Sequence, residues 1–318
     1  MAATAPPTTV ITGGRQVARP RSRRRLGVYL LLIPASLPIL VALGYPLVRQ
    51  FITSFQEYGL AQQFGQPAEW VGLANYTELL SDPYVWTVIW RSIAFCLVNA
   101  AVTMVIGIAF AVLMARVGAA ARITLQVSLL LAWGTPVLAS MTVWQWLFDS
   151  QYGVINYVLS HTLGLEQMAG HSWIIEPLSF YFVATVIVVW GSVPFVAFSV
   201  YAGLLQVPNE TMEAAQLDGA SARQRFWNIT MPMVRPVLSI VLLLQVIWDF
   251  KVFTQIYVMT NGGGVAGRNL VLNVYAYQQA FAASEYGLGA AIGVVMTVLL
   301  LVITLFYLRA LRRSGEVL

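Results

Sequence analysis

The stretch Trp86–Ala115, WTVIWRSIAFCLVNAAVTMVIGIAFAVLMA, contains thirty residues, of which only Arg91 carries a charge. A helix needs about 20 apolar residues to cross the hydrocarbon layer of a membrane. Lipid offers no hydrogen-bond partner to an unpaired peptide group, so a chain inside it forms a helix or a closed barrel. The stretch therefore predicts a transmembrane helix.

Further apolar runs predict an all-α, polytopic membrane protein with six transmembrane helices. Hydrophobic residues make up 58% of the 318 residues and charged residues 10%, at a mean hydropathy of +0.73. Soluble domains carry about 25% charged residues, so this chain needs lipid around it. In chain order the predicted spans are 26–48, 86–115, 123–148, 178–206, 234–258 and 287–311.

Residues 1–25 are rich in Pro, Thr and Arg and predict a disordered basic tail, which leaves 26–318 as the six-span domain. A cleaved signal peptide is the competing interpretation, but the apolar run that follows is too long for one. Most of the 18 basic residues lie in the tail, in the second and fourth connections and after span six. The positive-inside rule makes those segments, and both termini, cytoplasmic. Because the arginines cluster at the ends of apolar runs, they indicate topology and not a nucleic-acid partner.

The connection between spans four and five, Val207–Val234, reads VPNETMEAAQLDGASARQRFWNITMPMV. Asn209 predicts the N-cap of a helix, and Gly219 predicts its end. Ser221, followed three residues later by a glutamine, predicts a capping box that starts a second helix. Pro232 predicts the end of that second helix. On these grounds alone, a helix that docks on another protein and an ordinary helix at the lipid surface stay equally open.

The same loop resembles the E-A-A-x3-G-x9-I-x-L-P motif of permease subunits of binding-protein-dependent ABC importers, with Met231 in place of the leucine. Three further stretches are similar to the carbohydrate subgroup of these permeases, which includes maltose, glycerol-phosphate and trehalose permeases. These are VWQWLFDSQYGVIN at 143–156, FKVFTQIYVMTNGGG at 250–264 and AFAASEYGLGAAIGVV at 280–295. The nearest resemblance is to a trehalose importer permease of an actinobacterium. The resemblance implies the type I ABC importer permease fold.

The resemblance implies a transport subunit and not an enzyme. The loop, at about 208–232, would be a coupling helix docked on a separate ATPase, through Glu213, Ala214, Ala215, Asp218, Gly219, Ile229 and Pro232. The partners would be a second permease, two ATPase subunits that bind ATP and Mg²⁺, and an extracytoplasmic sugar-binding lipoprotein. The sequence agrees on one point, because the sole lysine, Lys251, precedes Val252 and cannot form a phosphate-binding G-x4-G-K-[ST] loop. The expected location is a bacterial inner membrane, and the expected substrate a disaccharide such as trehalose.

Polar and aromatic residues in spans four and five predict the sugar site. Ionisable side chains inside a membrane are costly and usually face a bundle interior or a water-filled path. Gln245 and Asp249 share one helix face, and Trp248 offers a ring that can stack on a sugar. By resemblance the sugar contacts are Gln245, Asp249, Ser192 and Phe195, and Trp248 joins the predicted site because of its ring. Asp249 also fits a buried hydrogen bond between helices.

Two other classes of protein are weighed against this interpretation. In an ion-coupled secondary sugar carrier Asp249 would be the ion site, but no internal repeat of the kind common in such carriers is visible. An intramembrane enzyme would need a constellation of His, Ser or carboxylate groups within the spans, and none is present. His161 and His171 lack a third nearby ligand and Cys96 stands alone, so no metal site is expected.

Overall fold

The computed structural model describes residues 33–34, 36–262 and 267–313. The predicted tail, 1–25, and the start of span one lie outside the described residues. The chain divides into two compact units between Arg49 and Gln50. The helices, in chain order, are α1 Ser36–Thr53, α2 Leu60–Gln63, α3 Ala74–Ser81, α4 Pro83–Arg116, α5 Ala119–Gly134, α6 Val137–Leu147, α7 Val154–Tyr157, α8 Pro177–Leu204, α9 Asn209–Leu217, α10 Ala222–Arg225, α11 Met231–Phe250, α12 Thr254–Met259, α13 Leu272–Tyr277 and α14 Tyr286–Arg313.

Within the described residues, five helical segments are long and apolar enough to cross a membrane, and a bent pair makes a sixth candidate. Span one corresponds to α1, span two to α4, span four to α8 and span six to α14. Span five runs through α10, α11 and α12, with a π-helical turn, Phe226–Thr230, between α10 and α11. Spans two, four and six agree with the predicted runs to within a few residues. Span one ends five residues later than predicted and its predicted start lies outside the described residues, while span five begins earlier than predicted, at Ala222.

Span three differs from the prediction of one straight helix over 123–148. It consists of α5 and α6, whose axes differ by 99° at the break between them. The break falls at Thr135 and Pro136, which both have extended backbone angles. Proline has no N–H to donate within a helix, and its ring disfavours the helical conformation of the residue before it. The dipeptide therefore ends α5 inside the apolar run.

Two other prolines do not end a helix, although Pro232 was predicted to do so. Pro232 lies in the first turn of α11, directly after the π-helical turn, so the chain stays helical where an end was expected. The wider π turn relieves the clash between a proline ring and the carbonyl four residues earlier. Pro194 lies within α8, which continues to Leu204.

Span five breaks at 251–253, where the prediction was a continuous run over 234–258. Lys251 follows α11 with non-helical angles and an exposed side chain, and α12 begins at Thr254. The side-chain amide of Asn273 donates to the carbonyl of Phe250 at 3.3 Å and to that of Val252 at 3.4 Å. A residue distant in sequence thus satisfies carbonyls that the break leaves free.

The core of the second unit is centred on α4 and α8. At one end, buried side chains of both helices pack with α12, α13 and α14, including Val88, Ile187, Ile256, Leu272 and Ile292. At the other end they pack with α11, including Met104, Ala111, Val196, Val200 and Val241. A two-residue strand pair, β1 Gln56–Glu57 with β2 Glu69–Trp70, is antiparallel and lies between α1 and α3 in the sequence. The predicted all-α membrane fold is confirmed.

Candidate functional site

The loop helix α9 begins one residue earlier than predicted. Pro208 precedes it in an extended conformation, and Asn209 is its first helical residue instead of its N-cap. Glu210 lies in the first turn, where a negative charge interacts favourably with the helix dipole. The hydroxyl of Thr230 contacts the sulfur of Met212 at 3.7 Å, which holds α9 against the π-helical turn.

The turn after α9 follows the prediction. Gly219 has a φ of +81°, the left-handed region that only glycine adopts without cost. The N–H of Ala220 donates to the carbonyl of Ala215 at 2.9 Å, and the N–H of Gly219 donates to that of Gln216 at 3.1 Å. This pair of bonds is the Schellman arrangement that closes a helix.

The second loop helix starts with the predicted capping box. The side-chain carbonyl of Gln224 accepts the N–H of Ser221 at 2.8 Å, and the hydroxyl of Ser221 accepts the N–H of Gln224 at 3.3 Å. The arrangement fixes the direction in which α10 leaves the turn. Helix, turn and helix are therefore specified by local sequence.

The surface of this loop combines acidic and apolar side chains without cover from the chain's own described residues. The predicted coupling residues Glu213, Ala214, Asp218, Gly219 and Pro232 are exposed, and Ala215 and Ile229 are half-buried. Leu217 is 89% exposed and Trp227 60% exposed. Large exposed apolar side chains beside charges are typical of a protein-docking surface.

In span five, Gln245 and Asp249 come together as the sequence predicts. The amide nitrogen of Gln245 donates to Oδ1 of Asp249 at 2.9 Å, one helical turn further along α11. Both side chains are buried, at 0% and 3% exposed. Oε1 of Gln245 and Oδ2 of Asp249 have no hydrogen-bond partner among the described residues.

The aromatic members of the predicted site form a second group. The rings of Phe195 and Trp248 lie 4.7 Å apart between centroids and join α8 to α11. Trp248 is 43% exposed, and Ser192, one turn before Phe195 on α8, is half-buried. A partly exposed pair of rings offers a flat apolar surface for the C–H face of a sugar, while the buried pair offers hydrogen-bond acceptors.

Span two adds polar side chains that the sequence interpretation did not include in the site. Asn99 and Thr103 are 0% exposed, and Oδ1 of Asn99 and the hydroxyl of Thr103 lack partners among the described residues. Their four-residue spacing places them on one face of α4. That spacing within an apolar run was the available signal.

The groove between α4, α5 and α8, of about 950 Å³, has different chemistry. Apolar side chains such as Val98, Val102, Leu129 and Val189 line most of it, with Arg91 among the few polar residues. Sugars need several hydrogen-bonding groups around them, and small-molecule sites place such groups at defined points. The lining of this groove includes none of Gln245, Asp249, Phe195 and Trp248. We therefore do not assign the groove to the predicted sugar site.

The segment after α6 is held by a carboxylate. Oδ1 of Asp149 accepts the N–H of Gln151 at 2.9 Å and that of Tyr152 at 2.7 Å. These bonds favour the charged form and lower the pKa of Asp149. In the described residues, His, Cys, Asp and Glu form no group of three that could hold a metal ion.

Comparisons with known proteins agree with this architecture. The family model for binding-protein-dependent transport system inner membrane components matches residues 105–314. A diacetylchitobiose uptake system permease of Streptomyces coelicolor is 43% identical over 307 residues, which cover 96% of this chain and 93% of that protein. A trehalose/maltose transport system permease of Thermococcus litoralis is 31% identical over 281 residues, which cover 88% and 92%.

The fold is shared with a solved transporter. A chain in the crystal structure of a bacterial alginate ABC transporter, in complex with a periplasmic protein that carries an alginate pentasaccharide, superposes with a TM-score of 0.77. The match covers 92% of this chain and 96% of the other at 20% identity. At that identity the likeness establishes the fold alone.

Proposed function

Because the chain belongs to the family of binding-protein-dependent transport system inner membrane components and is a permease subunit of a carbohydrate ABC importer, we propose that α9 couples ATP hydrolysis to transport of a disaccharide through spans four and five. Such permeases are membrane-embedded, non-catalytic transport components that work with a substrate-binding protein and other ABC subunits. The family assignment sets aside the ion-coupled carrier and the intramembrane enzyme.

The coupling role is supported by helix α9, which is exposed and whose C-terminal end is closed by hydrogen bonds within the loop. Glu213 on α9 and Asp218 directly after it are exposed, and Leu217, the last residue of the helix, is 89% exposed. A separate ATPase, bound to ATP and Mg²⁺, would receive this helix in a groove, and closure of two ATPase subunits would move the helix. A rigid connection is needed for that, and the Schellman turn at Gly219 with the capping box at Ser221 supplies one.

We propose the topology that follows from this role. The ATPase subunits lie in the cytoplasm, so α9 and both termini lie there too, as the distribution of arginines indicates. A second permease subunit would complete the translocation path, and an extracytoplasmic lipoprotein would deliver the sugar to the opposite side.

The identity of the sugar rests on named relatives. The relative named for diacetylchitobiose is 43% identical, and the one named for trehalose and maltose is 31% identical. We therefore propose diacetylchitobiose as the first candidate, ahead of trehalose. Uptake of labelled diacetylchitobiose by cells that carry the complete transporter, with unlabelled trehalose as competitor, ranks the two.

The coupling role is tested with Glu213→Ala in the complete transporter reconstituted in vesicles. We expect the variant to insert normally but to lose most sugar uptake per ATP hydrolysed, because the docking helix loses its exposed charge. Glu166→Ala, in the loop on the opposite side of the membrane in this topology, is the matched control and should behave as wild type. Normal uptake in Glu213→Ala would count against the coupling role.

A further inference from the structure

A cavity of about 290 Å³ lies where α6 ends and α8 begins, and it is termed the outer cavity here. Its walls come from the end of α6 and the segment after it, from the segment before α8, from Val183 and Ile187 of α8, and from Met259 of α12. In the proposed topology this end of the spans faces the outside of the cell. Ligand pockets hold about 300–1,000 Å³, so the outer cavity has room for one sugar ring and not for a whole disaccharide.

Three aromatic rings form part of the wall of the outer cavity, from Trp144, Phe148 and Trp173. The rings of Phe148 and Trp173 are 5.4 Å apart between centroids and nearly perpendicular, at 74°. Those of Trp144 and Phe148 are 6.1 Å apart at 21°. All three side chains are half-buried, and such packed rings give the cavity a wall of defined shape.

Asn156 fixes the orientation of Trp173. Its Oδ1 accepts the indole N–H of Trp173 at 2.6 Å, and its amide nitrogen donates to the carbonyls of Ser150 at 3.2 Å and His171 at 2.9 Å. Asn156 is only 4% exposed, so it ties together the two chain segments that border the cavity. Because the indole N–H is already bonded, Trp173 offers the cavity its ring and not its donor.

Polar side chains line the same cavity as the rings. They are Gln145, Asp149, Ser150, Ser172 and Asn261, which supply amide, hydroxyl and carboxylate groups. Gln145 and Asn261 are exposed, so the cavity is reached from the protein surface. A sugar ring has an apolar C–H face and a rim of hydroxyls, and this combination of flat rings and hydrogen-bonding groups matches both. The groove between α4, α5 and α8 offers mainly apolar side chains.

A further ring contact leads from the outer cavity toward the predicted sugar site. The ring of Trp144 contacts that of Trp190 on α8, with centroids 5.7 Å apart at 75°. Phe195 lies five residues after Trp190, about 7.5 Å further along the helix, and its ring packs on Trp248. The aromatic surface thus continues from the outer cavity in the direction of transport.

We propose that the outer cavity is an entry site, which holds one ring of the incoming sugar before the sugar reaches Trp248 and Asp249. The proposal rests on the proposed transport function and deepens it, because it adds a second binding site for the same substrate class. The second ring of a disaccharide extends out of the cavity, since only one ring fits within it.

The entry site is tested by thiol labelling of Ser172→Cys in the complex of permease and ATPase subunits without the binding protein. Cys96 is the only cysteine of the chain and is buried, so a water-soluble maleimide reports the introduced thiol. We expect diacetylchitobiose or trehalose at millimolar concentration to slow labelling about threefold or more. Ser81→Cys is the matched control, because Ser81 is exposed and does not line the cavity, and its labelling should not change.

Two labelling results would overturn the entry site. If neither sugar slows labelling of Ser172→Cys, or if labelling of Ser81→Cys slows equally, the cavity does not bind the sugar. If sugar-free binding protein slows labelling of Ser172→Cys and the sugars alone do not, the cavity receives a segment of that protein instead, which also overturns the proposal.

A transport measurement uses Ser172→Phe in the complete transporter, where the added ring fills the outer cavity. Uptake of labelled diacetylchitobiose or trehalose should fall about fivefold or more, whereas Ser81→Phe should import the sugar like wild type. Equal uptake by the two variants, with wild type active, means that the inference fails and the proposed function stands. If wild type does not couple ATP hydrolysis to uptake of either sugar, the proposed function itself fails.

Discussion

A Cβ atom on Gly107 of α4 would lie 2.5 Å from Cγ1 of Val196 on α8. Val196 is fully buried, so its side chain has little room to move away. The two central helices of the core therefore approach as closely as glycine permits. Small residues allow such approach between transmembrane helices, where packing rather than the hydrophobic effect holds helices together.

Gly107→Ala should therefore destabilise the protein. An added methyl group in a packed core costs about 1–3 kcal/mol, which a lower midpoint of thermal unfolding in detergent would reveal. The control is Gly191→Ala on α8, where a Cβ would meet nothing within 4 Å. Alanine favours a helix over glycine by about 0.5–1 kcal/mol, so this control should keep or raise the midpoint. Equal midpoints for the two variants would contradict the close approach.

Gly219 gives a prediction about backbone conformation alone. Its φ is +81°, and a Cβ there would meet no atom within 4 Å. Gly219→Val should strain the turn by about 1–2 kcal/mol and lower the sugar transported per ATP hydrolysed. Gly219→Asn should retain most coupling, because asparagine tolerates the left-handed region. Similar losses in both variants would mean that the side chain, and not the backbone, disturbs the loop.

Local sequence determines the features that could be predicted. Span positions follow from the length of apolar runs, and the turn at Gly219 and the capping box at Ser221 follow from residues a few positions apart. The bend of span three was also signalled locally, by Thr135 and Pro136, but the continuous hydropathy over 123–148 concealed it. Pro232 was misjudged because a π-helical turn before it accommodates the ring within a continuous helix.

Long-range contacts determine the features that could not be predicted. The break after Phe250 depends on Asn273, which lies 23 positions later in the sequence and donates to the freed carbonyls. Gln245 and Asp249 were expected in the site from their shared helix face, but their burial against span two follows only from the packing of α4 on α11. Hydropathy reports that a helix enters lipid and not which neighbour each face contacts.

Ser92 gives a prediction about a buried link between α4 and α13. Its hydroxyl accepts the N–H of Leu272 at 2.8 Å and donates to the carbonyl of Val88 at 2.7 Å. Ser92→Ala should leave the N–H of Leu272 buried and unpaired, at a cost of about 1–3 kcal/mol, and lower the unfolding midpoint. Ser81→Ala, at an exposed serine, is the control. A midpoint equal to that of the control would show that the N–H finds another partner.

Asp149 gives a prediction about acid stability. Hydrogen bonds from the N–H groups of Tyr152 and Gln151 lower its pKa from the ordinary value of 3.8. The folded state thus favours the charged form, and this contribution to stability is fully present above about pH 3.8 and is lost as the pH falls through the lowered pKa. Asp149→Ala should remove that part of the pH dependence, seen as a flatter acid limb in thermal unfolding from pH 5 to pH 2. An acid limb as steep as that of wild type would exclude the contribution.

Trp248 gives a prediction about the aromatic half of the site. Its ring lies 4.7 Å from that of Phe195 and is 43% exposed, so one face remains open for a sugar. Trp248→Leu should lower the uptake rate about five- to tenfold, because a ring that stacks on a ligand contributes about 1–1.5 kcal/mol. Trp248→Phe should lose less, since a flat ring remains. Trp90→Leu, at a tryptophan of α4 that is 66% exposed, should transport normally and controls for the loss of an exposed indole. Equal losses in Trp248→Leu and Trp248→Phe would point to the indole N–H instead of the ring face, and sugar binding would then depend on a hydrogen bond from Trp248.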